Sequence, residues 1–317
     1  MSSPKLYPRI RALFAALAAS AASAALLACG GGGGSTVPTL LAPESNAPWE
    51  LVTAGDIAQC DFSPPSVSNA EKTAKLVERQ LALAGENANV LTMGDNVYHI
   101  GTLTEFRYCY HPTWGRFLPK TFAVPGNHEY ENKDANGYFD YFGAQAGADR
   151  KGYYRVDHNG WTLITLNSSV DATAASAQAA WLKEQLLKTK PCVLAAWHHP
   201  RFSSASRGDN ALMADMWEIL DKAKADIVLN GHEHHYERFA PMTSTGATAV
   251  GAGMRSFVVG TGGADKYGFA TQRTNSEVRI EDYGVLRLSL QTGRADWKFI
   301  NVNDAVLDTG STTCRSK

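Results

Sequence analysis

Val90-Leu91-Thr92-Met93-Gly94-Asp95-Asn96-Val97-Tyr98 sets a short apolar run against a glycine and then against oxygen-rich side chains. The run is too short for a helix and reads as a buried strand, and the polar residues after it fall where an open α/β sheet presents its ligand-binding loops. The same grammar recurs along the chain. Glu50 to Ala54 runs into Gly55-Asp56, Thr121 to Val124 into Gly126-Asn127-His128-Glu129, Cys192 to Trp197 into His198-His199-Pro200, and Asp226 to Leu229 into Gly231-His232-Glu233-His234. Any one of these is an ordinary turn, a loop or a surface His-x-His. In order, on successive strand ends, they describe a site.

Between these runs the spacing is helical. Ser68 and Glu71 form an expected capping box ahead of Ala70, Ala74, Val77, Leu81 and Ala84, which share one face before Gly85. Ala175 to Lys188 and Leu212 to Lys224 repeat the period. Tyr153 to Val156 and Trp161 to Leu166 predict a hairpin turned at Asn159-Gly160. Ser256 to Val259, Val285 to Leu290 and Trp297 to Val302 predict further strands. This alternation points to an α/β class and one domain, with no internal repeat.

Lys plus Arg number 30 against 31 Asp plus Glu, so there is no broad basic field for nucleic acid and recognition must be local. Lys5, Arg9 and Arg11 precede an apolar stretch from Leu13 to Leu27 that ends at Ala28-Cys29, the anatomy of an export signal over residues 1–29. The stretch falls short of the roughly 20 apolar residues a spanning helix needs. The small residue before Cys29 resembles a bacterial lipobox, with Leu27 departing from the usual small residue there. Residues 30–48, opening on Gly30 to Gly34 and rich in Ser, Thr and Pro, are expected to be a flexible tether; no strand precedes the glycines and no Gly-Lys-Ser/Thr follows, as a phosphate loop would require. Residues 49–317 are expected to hold the folded domain. The predicted destination is the bacterial cell envelope or secretion, with a membrane reached only through lipid at Cys29.

Export makes disulfides permissible, and Cys60, Cys109, Cys192 and Cys314 allow three pairings. Cys60 and Cys109 both follow ligand motifs in loops, which favours joining them and leaves Cys192 to tie the C-terminal tail through Cys314.

Taken together, the five motifs resemble those of the calcineurin-like metallophosphoesterases. The placement of Tyr98 and the run Gly231-His232-Glu233-His234-His235-Tyr236-Glu237-Arg238 resemble the purple acid phosphatase branch. The similarity covers about Trp49 to Cys314 and includes Val258-Val259-Gly260-Thr261-Gly262-Gly263. It implies a four-layer α/β/β/α sandwich as a single catalytic domain, and a hydrolase of phosphate esters. It implies a first metal held by Asp56, Tyr98 and His234, a second held by Asn127, His198 and His232, and Asp95 bridging them. Carboxylate, phenol, amide and imidazole without thiolate suit iron, manganese or zinc. A phenol titrates near about 10, so Tyr98 as a phenolate needs a strongly polarising ion. The resemblance implies Fe(III) at that site and Zn, Mn or Fe(II) at the second. His128 is expected to donate the leaving-group proton.

Departures from the family pattern matter. Ala58 stands where a second glycine is usual after Gly55-Asp56. The stretch Arg201 to Gly208 lacks a further histidine that the branch often carries, so Arg207 or Arg201 is expected to hold phosphate instead. His199 and His235 neighbour ligands and are expected beside the metals or facing substrate. Arg207-Gly208-Asp209 sits ahead of a helix, where Asp209 reads as a cap and not as an adhesion signal. Tyr108, Tyr110, Trp114, Tyr138 and Phe139 are read as loop packing. The favoured activity is a phosphomonoesterase on a small phosphate ester. A phosphodiesterase or nucleotidase on the same metals is the alternative, and a non-catalytic metal or phosphate binding lipoprotein conflicts with the retention of every ligand.

Overall fold

Apolar runs of five or six residues, each broken by glycine or a polar turn, can hide their backbone polar groups only by pairing with one another. In the computed structural model, which describes residues 41–61 and 64–316, they do so as β1 (Trp49–Ala54), β2 (Ala58–Gln59), β3 (Ala88–Thr92), β4 (Val97–Tyr98), β5 (Thr121–Phe122), β6 (Tyr154–His158), β7 (Trp161–Thr165), β8 (Cys192–Ala196), β9 (Ile227–Asn230), β10 (Tyr236–Phe239), β11 (Arg255–Val259), β12 (Ser276–Ile280), β13 (Gly284–Gln291), β14 (Arg294–Asn301) and β15 (Val306–Thr313). One sheet has the order β15-β14-β13-β1-β3-β5 and the other β12-β10-β11-β9-β8-β7-β6, with β2 and β4 forming a short parallel pair. The pairs β1–β3, β3–β5, β7–β8, β8–β9 and β9–β11 are parallel.

Alternation sorts the side chains into layers. Leu194, Ile227, Leu229 and Phe257 of the second sheet join Leu51, Leu91, Leu286 and Leu288 of the first in one buried cluster. Val193, Ala195, Val228 and Val258 face the other way. They pack with Ala179 and Leu182 of the helix Ala177–Leu186 and Met216, Trp217 and Leu220 of the helix Ala214–Lys222. The helix Asn69–Ala84 contacts β1, β3 and β13 and covers the first sheet. The order is α/β/β/α, as expected.

Ser68 caps that helix by accepting from the Glu71 N–H at 3.1 Å, but the reciprocal half of the predicted box is absent. Glu71 turns instead to Arg116, 3.1 Å away, because a charged partner from a neighbouring segment outcompetes a neutral N–H. The hairpin forms as predicted, with Asn159 and Gly160 both at positive φ. Both favoured disulfides form, Cys60–Cys109 and Cys192–Cys314, each with Cα atoms 5.5 Å apart. The expected signal lies outside the described residues, as does most of the tether. The last tether residues are fastened: Asn159 Nδ2 donates to Ala47 O at 2.7 Å and Asn87 Nδ2 to Pro48 O at 2.6 Å. Among the described residues no helix is long and apolar enough to cross a membrane.

The edge strand β15, whose Thr309 to Thr313 carry no apolar period, was not legible in the sequence. One residue explains its place. Asp308 accepts from Tyr236 Oη at 2.7 Å, Arg238 Nε at 2.7 Å and Trp297 Nε1 at 3.2 Å. Burial pushes the Asp308 carboxyl up, yet these donors hold it below the ordinary carboxylate value. Its contribution is therefore complete above the unfolded pKa and disappears as pH falls through the lowered folded value. Asp308→Asn is expected to cost about 2 kcal/mol at neutral pH. Denaturant titrations should show the gap from wild type closing below about pH 4.

Candidate metal centre

The C-terminal ends of β1, β3, β8 and β9 and the loop after β5 bring the five motifs together. Asp56, Asp95 and His232 all take positive φ, at 59°, 47° and 71°, which L-residues adopt only where the surrounding structure enforces it. The glycines permit the crowding. A Cβ on Gly94 would stand 2.6 Å from His198 Nδ1, and one on Gly126 would collide with the Asp95 carboxylate.

Two groups of donor atoms result. In the first, Tyr98 Oη lies 3.0 Å from Asp56 Oδ1, 3.3 Å from Asp95 Oδ2 and 3.1 Å from His234 Nε2. In the second, His198 Nε2 lies 3.1 Å from Asp95 Oδ2, 3.2 Å from Asn127 Oδ1 and 3.2 Å from His232 Nδ1. Asp95 Oδ2 belongs to both. His198 Nδ1 is engaged by Met93 O at 2.8 Å and His234 Nδ1 by Asp265 O at 2.5 Å. A backbone carbonyl only accepts, so each of these Nδ1 atoms carries a proton, and each Nε2 is aimed at a carboxylate. Lone pairs gathered this closely, on side chains that are buried or nearly so, call for a cation among them.

The electrostatics agree. Burial would depress His198, but the Asp95 carboxylate lifts it to about 9, while Asp95 is driven well below its usual range by His198 despite its own burial. His234 is raised by Asp56 against burial. His232 is pushed far down by burial and then by His198. Burial, and next the Asp56 charge, push the Tyr98 phenol well above its ordinary value. The donor set fits metal ions: Asp56, Asp95 and His198 offer atoms within 4.8 Å of one another, and so do His198, His199 and His232.

His128 N donates to Asp95 Oδ1 at 2.9 Å. Its ring is partly exposed, with Nδ1 2.5 Å from His99 O and 3.4 Å from Glu131, and Nε2 3.9 Å from Asp95 Oδ2. His199 Nδ1 pairs with Ser168 Oγ at 2.8 Å and its ring lies 4.3 Å from that of His232; burial, then His198, bring it down to about 3. Arg207 reaches the cluster, with Nη1 2.8 Å from His232 Nε2. Arg201 does not: its guanidinium lies over Phe202 and donates to Asn210 O. His235 makes none of these contacts and is fully buried against Phe269, ring centroids 4.1 Å apart.

Two contributors escaped the sequence reading. Glu129 is fully buried and accepts from the N–H groups of Gly126 at 2.7 Å, Asp95 at 3.0 Å, Asn96 at 2.7 Å and Val97 at 3.3 Å. It ties the loop carrying Asp95 to the one carrying Asn127; its signal was an acid in the first turn of the short helix Asn127–Glu131. Tyr267 donates to His232 O at 2.6 Å, and its ring lies 4.6 Å from that of His234. It belongs to a loop without period, where nothing marked it.

Residues 51–236 match the family model described as calcineurin-like phosphoesterase. Purple acid phosphatase 23 of Arabidopsis thaliana is 34% identical over 155 residues, which cover 42% of this chain and 34% of that protein. Purple acid phosphatase 21 of the same plant is 26% identical over 293 residues, 83% of this chain and 62% of that protein. The chain thus spans about a third to under two thirds of the length of these relatives. Among solved structures, the purple acid phosphatase PPD1 from yellow lupin (Lupinus luteus) seeds superposes with a TM-score of 0.69 at 19% identity, over 86% of this chain and 55% of that one, a likeness of fold.

Asp95→Asn is expected to lose metal at both positions, because a neutral amide cannot balance two cations. Glu129→Gln should fold and yet bind metal at least roughly 10-fold more weakly, the usual scale for removing a group that orients ligands. Metal analysis after dialysis, with circular dichroism as the folding control, measures both.

Proposed function

The chain belongs to the calcineurin-like phosphoesterase family, and on that footing we propose that it hydrolyses phosphate esters, with phosphomonoesters as its substrates, at a two-metal centre. The observation that carries this reading is the pair of donor groups sharing Asp95 Oδ2. Asp56, Tyr98 and His234 would hold the first ion, Asn127, His198 and His232 the second, and Asp95 both. The phenol of Tyr98 among the first group favours Fe(III) there, since a phenol binds as phenolate only to a strongly polarising ion; Zn, Mn or Fe(II) suits the second. Two such ions would activate a water and neutralise charge on the phosphate oxygens.

The chain's own residues supply the rest. Arg207 is the phosphate-binding guanidinium, because it alone of the two candidate arginines reaches the cluster. His128 delivers the leaving-group proton: the carbonyl of His99 engages Nδ1, which leaves Nε2 toward the cluster. His199, held by Ser168 and kept neutral by burial, orients the second group. His235 contributes packing. The N-terminal segment is assigned to export, with Cys29 as a lipid-bearing start and residues 49–317 as the catalytic domain.

His128→Ala should retain both metals and lose roughly 100-fold in kcat, the scale of a general acid. The loss should shrink for esters whose leaving group needs no proton. Tyr98→Phe should fold and lose any visible charge-transfer band. Metal content, absorbance and rates on matched monoester and diester substrates are the measurements. A preference for the diester would favour the phosphodiesterase reading, and wild-type protein that binds no metal would overturn the assignment.

A further inference from the structure

Glu237, three residues beyond His234, touches none of the candidate ligands, yet its carboxylate is fully buried at the start of β10. Ser204 Oγ donates to its Oε1 at 2.5 Å and Ser204 N to its Oε2 at 3.0 Å. Burial pushes the carboxyl up, but the His235 imidazole, 3.7 Å from Oε2, and the donors of Ser204 bring it below its usual value. The other polar atoms of Ser204 are used as well. Its carbonyl accepts from Ala270 N at 3.2 Å and Thr271 N at 3.1 Å, and its Oγ accepts from Arg273 N at 3.1 Å.

Ser204 is therefore the fixed base of a turn. Gly208 N donates to Ala205 O at 3.0 Å, closing Ala205-Ser206-Arg207-Gly208, with Gly208 at φ 65°. Asp209 returns the chain by accepting from Ser203 N at 3.3 Å and pairing with Arg273. Arg207 projects from this turn to His232 Nε2, 2.8 Å away. Its long side chain has many rotamers, and freezing it over one point is unfavourable unless the backbone beneath it is fixed. The site lies beside a cavity of about 150 Å³ lined by Arg207, Asp209, Asn210, His232 and Glu233.

We infer that Glu237 is a positioning residue that clamps the turn at Ser204 and thereby sets the Arg207 guanidinium over the His232 side of the centre for phosphate. The inference rests on the phosphatase reading above and extends it to a residue outside the ligand set.

The test is a double-mutant cycle of Arg207→Ala and Glu237→Ala, with Glu237→Gln as the variant that preserves volume and one acceptor. KM, kcat, competitive inhibition by inorganic phosphate and metal content are measured on the metal-loaded protein. Arg207→Ala should raise KM and the phosphate inhibition constant by roughly 10-fold or more, the scale of a lost charge-assisted contact. Glu237→Ala should raise both in the same direction with two metals kept and kcat changed less, and Glu237→Gln should do so to a smaller extent. Neither should add to the loss once Arg207 is gone. Trypsin should also cleave after Arg207 faster in the Glu237 variants than in wild type, a readout independent of turnover. Losses that multiply across the cycle, or metal lost with Glu237, would overturn the positioning role while leaving the phosphatase reading intact. An Arg207→Ala protein with wild-type KM and phosphate inhibition would overturn the role of Arg207 and this inference with it. Should Glu237→Ala fail to fold, the Glu237→Gln arm of the cycle decides the question by the same criteria.

Discussion

The carboxylate of Asp95 is the constraint on which the centre depends. Its Oδ2 is shared by two groups of lone-pair donors, and its Oδ1 accepts from the N–H of His128. A buried carboxylate surrounded by a phenol, an amide oxygen and imidazoles is tolerable only where positive charge balances it. The lift of His198 to about 9 expresses the same demand from the imidazole side. Holding the group there requires a backbone bent into positive φ at Asp95 and Asp56, and the four N–H contacts to Glu129 secure the loop. The chain accepts local strain at the site, and the packed sheets on either side keep it from relaxing.

The run Gly231 to Arg238 does more than supply ligands. His232 and His234 face the cluster, whereas Tyr236 and Arg238 point to Asp308 on the edge strand β15. Glu237 points the opposite way, to Ser204. Period-two alternation in β10 separates Glu237 from Tyr236 and Arg238, since neighbouring residues leave a strand on opposite faces, while His232 and His234 lie in the bend before it. One short segment thus joins the centre, the first sheet and the loop that bears Arg207. Changes in it are expected to affect metal binding, stability and phosphate recognition by separate routes.

All seven proposed ligands were legible in the sequence because each follows the end of an apolar strand, and parallel strands deliver their ends to one side. The strands themselves were legible wherever they were apolar and bounded by glycine. β15 was not, because it is an edge strand whose partners are a carboxylate network and one neighbouring strand, neither of which leaves a local pattern. Glu129 was visible as part of a motif but its work was not, because its partners are backbone N–H groups that only the folded loops bring together.

The amino-acid order by itself determined the α/β alternation, the ligand types and their places on strand ends, and the chemistry those types can perform. These are local properties of periodicity and side-chain pKa, and they survive without knowledge of any contact. It could not choose between Arg201 and Arg207, which lie in one loop with the same charge. Nor could it separate His234 at the cluster from His235 under Phe269, adjacent residues of nearly the same type. Those choices were made by tertiary structure: a turn fixed at Ser204 sends one guanidinium to the centre while the other settles on Phe202, and the tightly bent segment ahead of β10 turns consecutive histidines to different surroundings.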